Sequence, residues 1–92
     1  VHNLTRALAL DHAADGIRVN AVCPGEVRTP MLQSQRSEPV TQALLERIAA
    51  TVPMGRLAEP IEIARVVAFL ASDAASYMTG ALVSVDAGYG AR

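Results

Sequence analysis

The run Ile17-Arg18-Val19-Asn20-Ala21-Val22-Cys23-Pro24-Gly25-Glu26-Val27-Arg28-Thr29-Pro30 decides the fold. Residues 17–23 are short and rich in β-branched side chains, with Ile17, Val19 and Ala21 on one face and Arg18, Asn20 and Val22 on the other. That alternation predicts a strand. Gly16 stands just before it, where glycine ends a preceding helix. Pro24-Gly25 ends the strand and opens a turn.

Working outward, Val1, Leu4, Ala7 and Leu8 recur at helical spacing, so residues 1–15 are expected to be a helix. Residues 26–37 have no firm period and are expected to be a long loop, of a length often used for functional lids. Val40, Leu44 and Ile48 define a second helix, entered by Pro39 and ended by Pro53. Residues 55–59 form a connector. Pro60 starts a third helix, with Glu59 and Glu62 at its positive end and a stripe of Ile63, Val66, Val67 and Leu70. Ser72-Asp73 marks its exit. Residues 81–85 make a second strand, and residues 86–90 a loose glycine-containing tail.

The order is therefore helix, strand, helix, helix, strand. Strands separated by helices pair in parallel within an α/β layer fold. Parallel strands need both faces covered, and two cannot make such a sheet alone. The remaining strands are expected before Val1. The sequence also begins inside a helical pattern with no N-cap, so the chain is expected to be cut from a larger protein.

Bulk composition narrows the chemistry. The chain has 92 residues, a formal net charge of −1, 51% hydrophobic residues and 18% charged residues. A domain of this size buries roughly 60% of its unfolded surface and is marginal alone. Alanine is abundant, and there are one Phe, two Tyr and no Trp, so little area is buried per residue. The charge balance speaks against a nucleic-acid surface. All 8 basic residues are arginine, so chemistry that needs a lysine must find it outside this chain. A single cysteine, Cys23, excludes an internal disulfide and suggests a reducing, cytoplasmic setting. The longest apolar run, residues 66–71, is far too short to cross a membrane.

The turn after the first strand is the strongest site candidate. It lies at the carboxyl end of a parallel strand, where open α/β sheets bind ligands. Gly25 lets a flat ligand approach the backbone. Val27 offers an N–H and a C=O that no ladder consumes, and Thr29 offers a hydroxyl donor and acceptor. Together they suit an amide group. The bland alternative is a Pro-Gly strand end with Thr29 capping a turn. His2 and His12 lack the i, i+4 spacing of a helical metal pair. Cys23 reads as a small buried hydrophobe without a nearby base. No metal site is expected.

The segments LTRALALDHAADGIRVNAVCPGEVRTPM (residues 4–31) and GRLAEPIEIARVVAFLASDAASYMTGALVSVDAG (residues 55–88), with their spacing, resemble the carboxy-terminal portion of a short-chain dehydrogenase/reductase. The likeness covers nearly the whole chain and is similar to the 3-oxoacyl-carrier-protein-reductase-like and the sugar or polyol dehydrogenase groups. It implies a Rossmann-like, doubly wound parallel sheet with helices on both faces. Residues 1–92 would be the carboxy-terminal portion of one NAD(P)-binding domain. The cofactor would be NAD or NADP, since the residues that choose between them lie upstream. Pro24 and Gly25 would shape the turn beside the nicotinamide. Val27 would hold its carboxamide through the backbone, and Thr29 through its hydroxyl.

The resemblance also implies that no catalytic residue lies in this chain. The family's Lys would stand about three residues before Val1 and its Tyr about seven, one helical turn apart. The catalytic Ser lies further upstream. Tyr77 and Tyr89 cannot replace that pair, because no lysine follows either. Met31, Leu32 and residues 33–53 fall where the family's substrate lid lies. The parent would be an oxidoreductase interconverting a small alcohol and a carbonyl, assembled as a homodimer or homotetramer through the first helix, the helix over 60–72 and the last strand. The alternative is a non-catalytic fragment that only docks onto intact subunits.

Overall fold

The structure is a computed structural model and describes residues 1–30, 32, 37 and 39–91. Helix α1 spans His2–His12. It tightens into a 3₁₀ turn at Ala13–Asp15 and stops at Gly16, whose φ of 76° is left-handed. The Gly16 N–H donates to the Ala13 carbonyl (3.1 Å) and the Ile17 N–H to that of His12 (3.3 Å). These two bonds satisfy carbonyls the helix end would leave bare. The expected glycine stop is thus in place.

Strand β1 is Ala21–Pro24 and β2 is Leu82–Val85. They pair in parallel, with Ala21 opposite Leu82 and Pro24 opposite Val85, as the element order requires. Both strands are shorter than expected, and the reason is chemical. Residues 17–20 run beside residues 78–81 but bond largely through side chains. The Val19 N–H donates to Thr79 Oγ1 (3.1 Å). Asn20 Nδ2 donates to the Met78 carbonyl (3.1 Å), and its Oδ1 accepts from the Ala81 N–H (3.0 Å). The Asn20 amide thus stands in for a rung that backbone would otherwise make. The Arg18 guanidinium reaches the Ser72 and Met78 carbonyls (3.2 and 3.3 Å), tying the start of this segment to the chain leaving the third helix.

Helix α2 is Gln42–Ala50. Its N-cap is Thr41, whose Oγ1 accepts from the Leu44 N–H at 3.2 Å, so Pro39 lies two residues ahead of the cap rather than in the first turn. Leu44 and Ile48 face inward, as the spacing predicts. Helix α3 is Pro60–Ala71, starting at the expected proline and lying against β1. Of its stripe, Leu70 is buried, Ile63 and Val66 are half-buried, and Val67 is exposed.

The tail is ordered rather than loose. The Asp86 carboxylate accepts from the N–H groups of Gly88 (3.2 Å) and Gly90 (3.0 Å). The Met54 N–H donates to the Ala87 carbonyl (3.3 Å), docking the tail on the connector between α2 and α3.

The core is thin. Ala9, Leu32, Leu44, Ile48, Val52, Leu70 and Ala75 are buried, and no large side chain among the described residues is fully enclosed. Leu10, Ile61 and Phe69 are 81%, 54% and 46% exposed. A compact domain of this length has a radius of gyration of about 12 Å. The observed value is 15.9 Å, with extents of 50 × 24 × 24 Å. The helices therefore carry apolar faces that nothing in the described residues covers.

Candidate functional site

The turn leaving β1 and the first turn of α3 enclose an open cavity of about 740 Å³. Pro24, Gly25, Val27 and Thr29 all line it, together with Leu32, Pro60 and Ile63. The four residues singled out from the sequence are therefore together, at the carboxyl end of a parallel strand.

Val27 makes the geometry specific. It forms an isolated parallel bridge with Ala58. In that bridge the Arg28 N–H donates to the Ala58 carbonyl, and the Ala58 N–H donates to the Glu26 carbonyl, both at 2.9 Å. In an extended chain, successive residues point their N–H and C=O to opposite sides. With 26 and 28 committed to Ala58, the Val27 pair points the other way. No described residue bonds to the Val27 N–H or C=O.

Thr29 is half-buried. Its carbonyl accepts from the Leu32 N–H at 3.1 Å, which forms the next turn. Its hydroxyl bonds to no described residue. The described bond that builds the turn is thus made by the Thr29 backbone. Leu32 is buried, while Met31, residues 33–36 and Glu38, also expected in the lid, lie outside the described residues.

Gly25 has a reason to be glycine that spacing did not reveal. Its φ is not in the left-handed region. A Cβ there would lie 2.9 Å from both Cα and Cβ of Asp86. The Gly25 N–H donates to the Val85 carbonyl (3.1 Å), extending the ladder one rung and forcing that approach. The absent side chain faces Asp86.

A charged pair stands at the start of α3. Arg56 grips Glu62 through both prongs, Nη1 to Oε1 at 2.7 Å and Nη2 to Oε2 at 2.9 Å. Glu62 Oε1 also accepts from the Glu59 N–H at 2.9 Å, capping the first turn of α3. Hydrogen bonding from Arg56, then from the Glu59 backbone, holds the Glu62 carboxyl down to about 2 from an ordinary 4.5. A carboxyl depressed on folding stabilises the fold above its unfolded value and loses that contribution as pH falls toward its folded value. The melting temperatures of the native chain and Glu62→Gln should therefore differ at neutral pH and converge between 4.5 and about 2. Parallel melting curves over that range would contradict the assignment.

Several residues went unforeseen. Ala58, Asp86 and Arg56 carry no sequence pattern that marks their partners, although Glu62, three residues after the helix cap, supplies half of a capping box. Cys23 does have a base in reach: His2 Nε2 lies 3.5 Å from its Sγ, across 21 residues of sequence. This corrects the expectation that none is near. His12 pairs instead with Asp15, Nδ1 to Oδ2 at 3.2 Å, on an exposed helix end. Among the described residues, no group of three His, Cys, Asp or Glu side chains is placed to hold a metal. No described helix is long and apolar enough to cross a membrane.

The parallel strands, flanking helices and strand-end turn define a Rossmann-like α/β protein. A family model described as Enoyl-(Acyl carrier protein) reductase matches residues 1–90. Galactitol 2-dehydrogenase (L-tagatose-forming) of Cereibacter sphaeroides is 53% identical over 89 residues, covering 97% of this chain and 34% of that protein. A short chain dehydrogenase family protein from Francisella tularensis superposes with a TM-score of 0.88 at 37% identity, covering 99% of this chain and 40% of the other. A variant of actinorhodin polyketide ketoreductase solved with NADPH gives 0.87 at 41% identity, with 99% and 37% coverage. The chain belongs to the short-chain dehydrogenase/reductase family. It spans about a third of the length of the curated relatives it matches.

Proposed function

We propose that residues 1–92 are the carboxy-terminal portion of one NAD(P)-binding domain, in an oxidoreductase that interconverts an alcohol and a carbonyl. The observation that carries this is that the Val27 N–H and C=O have no partner among the described residues and that Val27 and Thr29 line the same strand-end cavity. A carboxamide offers one acceptor and two N–H donors. The Val27 C=O suits its amine, the Val27 N–H suits its oxygen, and Thr29 completes the set. Pro24 and Gly25 shape the floor beside the ring.

The nicotinamide, when bound, donates or accepts the hydride. This chain's residues orient the ring, which is a positioning contribution to the rate. Proton transfer falls to a Tyr, made more acidic by a Lys, in the sequence before Val1. The relatives support the reading by chemistry: one oxidises a polyol by name, and one was solved with NADPH. Leu32 and residues 39–53 would border a small alcohol or carbonyl substrate. The exposed Leu10, Ile61 and Phe69 favour subunit contacts in a homodimer or homotetramer. A cytoplasmic setting fits the single unpaired cysteine.

The full-length protein carrying this chain is expected to bind NAD(P)H and oxidise or reduce a member of a polyol and ketone panel. The 92-residue chain alone is expected to show no turnover. Turnover by the short chain, or a full-length protein that binds neither nucleotide, would overturn the proposal. The second outcome would favour a docking module.

A further inference from the structure

Resting on the nicotinamide reading of the Val27 turn, we infer that Arg56 and Glu62 are positioning residues for it. Their two-pronged ion pair holds residues 57–59 in the extended form that aims the Val27 backbone into the cavity. Neither residue touches the cofactor in this reading.

The chain of contacts is short. The Val27 N–H and C=O point away from Ala58 because its neighbours are bonded to Ala58, through the Glu26 carbonyl and the Arg28 N–H. Ala58 offers only its backbone, so its direction depends on residues 57 and 59. The Glu59 N–H is held by Glu62 Oε1 (2.9 Å), and the Glu62 N–H donates to the Glu59 carbonyl (2.9 Å). Arg56 Nη1 also reaches the Leu57 carbonyl at 3.3 Å while it grips Glu62. The two residues that flank Ala58, Leu57 and Glu59, are thus tied by one guanidinium and one carboxylate. A planar fork on a carboxylate constrains direction as well as distance, which a single contact does not.

The other tie across the bridge is weaker. Arg28 Nη1 and Glu59 Oε1 are 3.9 Å apart, with side chains 61% and 56% exposed. An exposed pair at that range contributes little order. If Arg56 and Glu62 are separated, residues 57–59 become a short connector between Gly55, at a φ of +78°, and Pro60. The bridge then forms only part of the time. The apparent affinity of a site falls in proportion to the fraction of molecules that hold its competent form. Only the part of the ligand that meets Val27 is affected.

That selectivity provides the test. In the full-length protein, affinity is measured for NAD(P)H and for ADP-ribose matched in its 2′-phosphate, which lacks the carboxamide. Glu62→Gln keeps an acceptor for the Glu59 N–H but loses the ion pair, while Glu62→Ala and Arg56→Ala lose the clamp. The expected result is a Kd for NAD(P)H raised about threefold by Glu62→Gln and about tenfold by either alanine variant, with ADP-ribose unchanged within about twofold. Equal weakening of both ligands would make the pair general scaffolding and overturn the inference, as would no weakening of either. Those outcomes leave the nicotinamide reading standing. If the unsubstituted protein binds NAD(P)H no more tightly than ADP-ribose, that reading fails and takes the inference with it.

Discussion

Gly25→Ala is expected to destabilise the protein by about 1–3 kcal/mol with no cofactor present, the usual cost of forcing an extra carbon into a filled space. The added Cβ would sit 2.9 Å from the Cα of Asp86 and 2.9 Å from its Cβ. One of those atoms is backbone, so no rotamer change relieves the clash. Asp86 cannot easily retreat, because its carboxylate holds the N–H groups of Gly88 and Gly90 and its carbonyl accepts from the Tyr89 N–H (3.1 Å). The ladder bond from Gly25 to the Val85 carbonyl would have to lengthen instead. Urea unfolding of the cofactor-free full-length protein measures the effect. If Gly25 were glycine only to admit a ligand, stability would be unchanged and affinity alone would fall. That outcome would sink the packing account.

The same residue shows what a sequence can and cannot convey. Pro24-Gly25 after a β-branched run marks a strand end, and the position of the turn followed from that. The glycine's neighbour, Asp86, lies in the tail, and no local pattern connects the two. Parallel pairing of β1 and β2 was legible because it follows from element order alone. The strand lengths were not, because Asn20 and Thr79 replace rungs with side-chain bonds, and such residues look like ordinary strand positions. A Val27 N–H and C=O outside any ladder is an expectation that the loop position itself carries. The direction in which they point is not, since that depends on a bridge to Ala58, a residue without a distinguishing side chain. The His2–Cys23 contact belongs to the same class: helix and strand are each legible, but the rotation that brings Nε2 to Sγ is a packing result. Local periodicity conveys elements; it does not convey which faces meet.

Thr29→Ala in the full-length protein is expected to weaken NAD(P)H binding about tenfold, the upper end of what one lost hydrogen bond costs in a shielded site. The substitution is clean because the structural bond at this position is made by backbone. The Leu32 N–H donates to the Thr29 carbonyl at 3.1 Å, and alanine keeps that carbonyl. The hydroxyl has no described partner, so its removal strands no buried group among the described residues. The turn should therefore keep its shape, and melting of the cofactor-free protein should barely change. Thr29→Ser retains the hydroxyl and should bind within about twofold of the native protein, a little loss coming from the freer side chain. Fluorescence titration with NAD(P)H reads all three proteins. Native affinity in Thr29→Ala would reject the hydroxyl's role and leave the cavity held by Val27 alone. Equal losses in Ala and Ser would point to the methyl group packing in the site, because serine differs from threonine only there. The proposed carboxamide contact requires the serine variant to bind near the native affinity and the alanine variant about tenfold more weakly.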